Sequence, residues 1–151
     1  MSAVALRGEA AEVALGEAQA VLSMVQDPER RNRLADLVAA IGDGEVDGAD
    51  AESLEELLEL GLQTGRLRAL YGPGGETAAL SVYRKLPRGR DASRTAREVS
   101  EALKALEGRP LEKVSIQVAA PGEYIVDFSA DGIQLSVRLG RNGARIGSVG
   151  V

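Results

Sequence analysis

The sequence lacks cysteine and histidine altogether. Without cysteine there are no disulfides, thiol nucleophiles or thiolate metal sites, and without histidine there is no imidazole base and no imidazole ligand for zinc. Aromatic residues are scarce, so stacking platforms for single-stranded nucleic acid are poorly supplied; they are Tyr71, Tyr83, Tyr124 and Phe128. The remaining residue types form no catalytic motif. We therefore expect a protein that is not an enzyme and that holds no cofactor and no metal.

Long apolar runs are missing as well. No stretch reaches about 18 uncharged apolar residues, so we expect no membrane-spanning segment. Near the N-terminus the only basic residue is Arg7, and Glu9, Glu12 and Glu17 interrupt the apolar core that a signal peptide requires. These features predict a cytoplasmic protein, and the absence of cysteine agrees with that location.

Asparagine is rare, and 15 of the 18 basic residues are arginine. This usage is compatible with a thermophilic source and equally with GC-rich coding. Charge is divided unevenly along the chain. Residues 1–65 carry four Arg against 14 Asp and Glu, whereas residues 66–151 carry 14 basic against nine acidic residues. Such asymmetry indicates a charged partner or mutual docking of the two halves.

Three helices are predicted in the acidic region. The first covers residues 3–25, and its stripe of small and aliphatic residues suits either internal packing or self-association; the stripe consists of Val4, Ala11, Leu15, Ala18, Leu22 and Val25. The second starts at Asp27, an N-cap followed by proline. The third is capped by Asp50 or Ser53 and ends at Gly65.

The segment after the third helix predicts a hairpin and a fourth helix. Two short aliphatic runs, Arg66–Tyr71 and Ala78–Leu86, flank a loop of glycine and proline at 72–75. Pro87 is expected to end the second strand. A helix capped by Asp91 then runs to about residue 107.

The clearest pattern lies in the last forty residues, where apolar and polar residues alternate. The runs are separated by Pro121-Gly122, Asp131-Gly132 and Asn142-Gly143, and the last two pairs are strong hairpin-turn signals. We expect a four-stranded antiparallel meander over 113–151. Six of its residues are expected to be buried: Val114, Ile116, Val118, Ile133, Leu135 and Val137.

The resulting element order is ααα-ββ-α-ββββ, which belongs to the α+β class. A chain of this length favours one domain. We expect the acidic helical region 1–65 to pack within that domain or to form a helical extension. Residues 66–151 are expected to form the ββ-α-ββββ core.

The acidic segment Asp43–Gly48 lies between two predicted helices, as a calcium loop would. The twelfth position is Leu54 in place of the bidentate glutamate, and Asp50 occupies a position that requires an apolar residue. We therefore favour a solvated connector over a calcium site.

A basic cluster is the candidate site of this sequence. A single acidic residue, Asp91, lies among its basic residues. The cluster spans a predicted strand end, a loop and a predicted helix N-terminus, where backbone N–H groups favour anions. The cluster consists of Arg84, Lys85, Arg88, Arg90, Arg94 and Arg97. Three interpretations stand: it binds nucleic acid or another polyanion, it docks on the acidic first half, or it is a solvated face.

We expect a small non-enzymatic interaction protein of adaptor type that self-associates through the N-terminal helix or an open sheet edge. The final strand, over 144–151, has no charged tail to protect such an edge. Its partner is then a second copy or another protein. The alternative is a nucleic-acid- or polyanion-binding module that uses the basic cluster.

Overall fold

The helices of this chain precede its four-stranded sheet, so the fold is α+β, as the sequence predicts. The computed structural model describes residues 2–150. The chain divides into two compact units, one up to Arg90 and one from Asp91 onward. The division does not fall after residue 65, because the segment expected to form a hairpin is helical and belongs to the first unit.

The first unit is a helical assembly with a very small sheet. Strands β1 (Val4–Ala5) and β2 (Glu45–Val46) pair in antiparallel fashion. Helix α1 packs against the other three helices that lie wholly in this unit. These helices are α1 (Gly8–Met24), α2 (Pro28–Asp43), α3 (Gly48–Gln63) and α4 (Arg66–Tyr83).

The core of the first unit takes up the apolar stripe that we expected on a helix over 3–25, but α1 begins only at Gly8 and Val4 lies in β1. Ala18 is completely buried, and Leu15 and Leu22 are partly buried against the same core. These contacts agree with the interpretation that the stripe serves internal packing. The largest fully buried aliphatic residues of this unit come from α2, α3 and the segments that follow: Leu37, Leu54, Leu58, Leu67 and Leu86.

Helix α2 begins as its sequence predicts. The Asp27 carboxylate accepts a 2.9 Å hydrogen bond from the backbone N–H of Arg30, and a proline follows the cap. Helix α3 begins earlier than expected, because Asp47 and not Asp50 or Ser53 is its N-cap. The chain enters α3 directly after β2 has paired with β1, which leaves no residues for a longer connection.

The predicted hairpin over 66–86 is wrong. The first run and the second run as far as Tyr83 lie in α4, and residues 84–86 form the turn that follows it. Helix α4 is interrupted at Gly72, where φ is 74° and ψ is 179°. Pro73 then restarts the helix at a position where its missing N–H costs nothing. Helical spacing explains the stretch after the break, because Gly75, Ala79 and Val82 are buried there at helical intervals.

Helix α5 spans Pro87–Leu103, so Pro87 starts a helix where we expected it to end a strand. The expected cap, Asp91, lies inside the helix. A 3₁₀ turn, Lys104–Leu106, follows the α-helical part. Proline is favoured at the first helical position because its fixed φ suits the helix and its missing N–H would be unpaired there anyway.

The second unit contains the predicted meander. Its four strands are antiparallel and lie in chain order. Gly122 has a φ of 78°, as a type II turn requires, and both Asp131 and Gly132 have positive φ, as a type I′ turn requires. The strands are β3 (Lys113–Ala120), β4 (Glu123–Ala130), β5 (Ile133–Gly140) and β6 (Gly143–Gly150). Val151, which we assigned to the last strand, lies outside the described residues.

Burial within the meander differs from expectation on one strand. Leu135 and Val137 on β5 are buried, as predicted, and Ile133 is partly buried. Val114, Ile116 and Val118 on β3 are 52%, 63% and 69% exposed, so the prediction that they are buried is wrong. They share a face with the buried β5 residues, but β3 is an edge strand and that part of the face is not covered.

Candidate functional site

The acidic segment between α2 and α3 has no room for a calcium loop. Asp43 is the last residue of α2, and Asp47 caps α3. Burial, followed by the charges of Asp36 and Asp47, raises the pKa of Asp50. Within residues 2–150, no group of three or more potential ligands is arranged to hold a metal ion.

The six residues of the basic cluster are all exposed, but they differ in the ion pairs that they form. Arg94 lies 3.5 Å from Asp91 on the same helix, a pairing of two solvated side chains. Among the described residues, no ion pair forms at four members of the cluster: Arg84, Lys85, Arg90 and Arg97. These four side chains are therefore exposed cations without an ion pair in the described part of the chain.

Arg88 is the member of the cluster that docks on the acidic region. Its Nε lies 3.3 Å from Oε1 of Glu55, and its Nη1 lies 2.9 Å from Oε2 of Glu59. Its backbone N–H donates a 2.8 Å hydrogen bond to Oε2 of Glu55. The hydrogen bond and charge of Glu59 raise the pKa of Arg88. The contacts of Arg88 therefore agree with the interpretation that the basic cluster docks on the acidic first half.

Two buried carboxylates of the first unit each meet an arginine. Glu55 is 5% exposed and is held by Arg88; Glu17 is 1% exposed, and both of its oxygens lie 3.1 Å from Nε of Arg66. A buried carboxylate with these partners favours one arrangement of the helices. Both pairs therefore contribute to the packing of the first unit.

Tyr71 completes the environment of Glu17. Burial first, and then the charge of Glu17, raises the pKa of Tyr71. Gly16 makes this approach feasible, because a Cβ there would lie 2.6 Å from the Tyr71 hydroxyl oxygen. An arginine, a carboxylate and a tyrosine thus fix the packing of α1 against α4.

One face of the meander is polar. Ser115, Asp127, Ser136 and Ser148 lie opposite one another across the four strands. Asp127 accepts hydrogen bonds from the Ser136 hydroxyl and, at 3.3 Å, from the side-chain amide of Gln117. A shallow cavity of about 330 Å³ includes all four residues of this row in its lining. The carboxylate is already engaged by its neighbours, and its charge is the only acidic one in that lining.

The opposite face is apolar and partly uncovered. We call Val114, Ile116 and Val118 the β3 apolar row. Val118 lies opposite Tyr124 on β4, and Tyr124 lies opposite Leu139 on β5, so the exposed apolar surface continues across three strands. Tyr124 and Leu139 are themselves exposed. Such contiguous apolar surface typically marks an interaction site.

Comparison with protein-family models, with curated proteins and with solved structures found no match to this chain. No helix within residues 2–150 is both long enough and apolar enough to cross a membrane. The interpretation of the site therefore depends on its own geometry.

The alternation in the sequence identifies the residues of the β3 apolar row, but the prediction that they belong to the core is wrong. Their alternation establishes that they share a face, and it does not establish whether that face is covered. The position of β3 at the start of the meander was the available signal, since the first strand of a meander is an edge strand with one neighbour.

Proposed function

We propose that this protein is a non-enzymatic interaction protein that associates with a second copy of itself through the exposed apolar residues of the meander. The distribution of exposed apolar residues carries the proposal. Of the ten large hydrophobic residues that are exposed in the described chain, seven lie in the second unit, which is the smaller one. They are Leu111, Val114, Ile116, Val118, Tyr124, Leu139 and Val149.

The small core of the second unit supports the same proposal. Only four apolar residues are buried there, against 17 in the first unit. They are Val99, Ala130, Leu135 and Val137. A unit of this size has little buried surface to offset its conformational entropy, and covering the β3 apolar row would add to it.

The lack of histidine and cysteine supports a non-enzymatic role, and the lack of cysteine also supports a cytoplasmic location, which we include in the proposal. Both carboxylates that are buried in the first unit are engaged by arginines. The buried acidic groups of the first unit therefore serve packing.

Sedimentation velocity over a range of protein concentrations tests the proposal. We expect wild type to sediment as a dimer or larger species at micromolar concentration, and Ile116→Lys to shift it to the monomer, because a lysine blocks an open edge. Leu70→Lys is the matched control, since Leu70 is 59% exposed but lies on α4. It should leave association unchanged. A wild-type monomer at high micromolar concentration would overturn the proposal.

A second candidate function is polyanion binding by the basic cluster. The observation that favours it is that, within residues 2–150, no ion pair forms at Arg84 and Lys85, in the turn between α4 and α5, or at Arg90, in the first turn of α5. Arg94 and Arg97 follow on α5. A run of exposed cations of this kind binds phosphate backbones by releasing counterions.

Binding of duplex DNA at several salt concentrations tests this second candidate. The variant Arg84→Ala/Lys85→Ala/Arg90→Ala keeps Arg88, whose contacts hold α5 on α3. It should lose affinity and flatten the dependence of affinity on salt. The double variant Arg30→Ala/Arg33→Ala serves as the control, because these exposed arginines lie on α2. Absence of wild-type binding at low salt would eliminate this candidate.

A further inference from the structure

We infer that two copies join edge to edge, β3 against β3 in antiparallel orientation, with Ile116 directly opposite Ile116 of the second copy. The inference depends on the proposed self-association and adds the edge, the orientation and the register. Within residues 2–150, strand β3 pairs with β4 alone, so its other edge presents backbone groups that no described strand pairs. Adding a strand at such an edge satisfies those groups.

The side-chain pattern of β3 is complementary to itself around Ile116. In a two-fold symmetric antiparallel pair centred on this residue, Val114 faces Val118 of the second copy and Ser115 faces Gln117. Every apolar residue of the row then meets another apolar residue, and the polar face meets the polar face. Directly opposed side chains of an antiparallel pair contact each other, and such cross-strand pairs stabilise a sheet.

Neighbouring registers are poorer. Pairing of β3 with β4 is regular from Lys113 to Val118, and the register shifts before Ala120. A pair centred on residue 117 would use the irregular end of the strand. A pair centred on residue 115 would set Val118 opposite Glu112, an apolar residue against a charge. Centring on Ile116 keeps the central pairs within the regular part.

Charge also permits this register. Lys113 is the only charged residue of β3, and it falls opposite Ala119 of the second copy, so that no two like charges meet. Edge charges normally prevent strand addition, and here the single lysine lies at the end of the strand. The edge is thus unprotected where the β3 apolar row lies.

The other edge of the sheet is less suited to the same contact. Strand β6 contains Arg145 and Gly147 within its length, and its pairing with β5 shifts register after Val137. Its one large apolar residue that is exposed is Val149. A pair of β3 strands instead joins the two sheets into one of eight strands, with the two β3 apolar rows side by side.

Disulfide trapping tests the register, because the chain contains no cysteine of its own. Opposed residues of an antiparallel pair have Cα atoms about 4.5–5.5 Å apart, within the range that a disulfide spans. Mild oxidation of Ile116→Cys should therefore shift most of the protein to a covalent dimer. In Val118→Cys, the two thiols lie about 13 Å apart along the strands and should not link.

Mixing provides a second, independent readout. Val114→Cys and Val118→Cys should each stay monomeric in a denaturing gel when oxidised alone, and should link to each other when mixed. This experiment leaves Ile116 intact, so it remains informative if Ile116→Cys folds poorly. Circular dichroism of each variant verifies the fold.

The outcomes separate this inference from the proposed function. If wild type self-associates but neither Ile116→Cys nor the mixed pair links, the register is overturned and self-association stands. Linking of Val149→Cys in place of Ile116→Cys would assign the contact to β6 and overturn the β3 edge. A wild-type monomer would overturn both.

Discussion

The carboxylate of Glu55 on α3 accepts a 2.8 Å hydrogen bond from the backbone N–H of Arg88, in the first turn of α5. The first N–H groups of a helix have no partner within the helix, and the helix dipole makes them attractive to anions. The anion at the N-terminus of α5 is therefore a side chain of the same protein, the Glu55 carboxylate. The cation beside it, Arg88, is balanced by the same carboxylate and by Glu59.

Replacing Glu55 should destabilise the first unit. Glu55→Gln removes the charge that pairs with Arg88 and weakens the cap of α5, so we expect the free energy of unfolding to fall by about 1–2 kcal/mol. Urea denaturation measures this change. Glu52→Gln on the exposed side of α3 is the matched control and should change stability by less than about 0.5 kcal/mol. Equal effects of the two substitutions would contradict the capping role.

Two glycine-to-alanine substitutions should act in opposite directions. A Cβ at Gly89 would collide with the backbone carbonyl of Tyr83, so Gly89→Ala should cost about 1–3 kcal/mol or separate α5 from α4. A Cβ at Gly42, in the last turn of α2, meets nothing within 4 Å, so Gly42→Ala should stabilise by about 0.4–1 kcal/mol. Thermal denaturation of the two variants measures both changes in stability. A Gly89→Ala variant as stable as wild type would contradict the close approach at Gly89.

The first unit should lose stability at alkaline pH. Burial, followed by the charge and hydrogen bond of Glu59, raises the pKa of Tyr83. The folded chain then retains a proton that the unfolded chain releases above pH about 10. This contribution is complete below that pH and is lost as the pH rises toward the folded-state pKa.

Ultraviolet titration of the phenol groups measures the effect. In Glu59→Gln the titration of Tyr83 should move to lower pH, because the neighbouring charge is gone, and Tyr83→Phe should remove that step from the curve. If the curve of Glu59→Gln coincides with that of wild type, the contact between the Tyr83 hydroxyl and Glu59, 3.3 Å in length, does not control the titration.

Truncations in the meander should distinguish its buried centre from its exposed edge. Leu135→Ala removes a residue that is 3% exposed and should destabilise the second unit by about 2–5 kcal/mol. Val118→Ala should cost less than about 0.5 kcal/mol in dilute protein, because Val118 is largely exposed there. Unfolding at low concentration is the relevant measurement. A larger loss for Val118→Ala than for Leu135→Ala would reverse the assignment of the two strands.

The meander could be predicted because its signals are local. Alternation with period two and the turn pair Asp131-Gly132 fix strand lengths and neighbours without reference to the rest of the chain. The burial of β3 could not be predicted in the same way. Whether an apolar face is covered depends on what packs against it, and that information is not contained in the strand.

The error over 66–86 has a different origin. Glycine and proline at 72–75 fit a hairpin loop, and they equally fit a helix that stops and restarts. After the break at Gly72, the buried residues Gly75, Ala79 and Val82 follow at helical intervals, but the glycine at the first of these positions hides the signal from a search for apolar residues.

The contacts of Arg88 show the limit of charge patterning. The uneven charge of the two halves indicated docking in general terms, and one arginine of the cluster does reach the acidic helix. Its partner, Glu55, lies 33 residues earlier, among the buried leucines of α3. Neither its burial nor its choice of partner follows from spacing.

The chain-order arrangement of the four strands also governs the order in which surfaces form. Each strand pairs with the next one along the chain through a short turn, so the sheet can close hairpin by hairpin as the polypeptide emerges, with little loop entropy to overcome. β3 enters the first hairpin, and none of the strands that follow covers its outer edge. The edge is therefore completed early during synthesis and stays open afterwards, which makes neighbouring nascent chains the first molecules able to reach it.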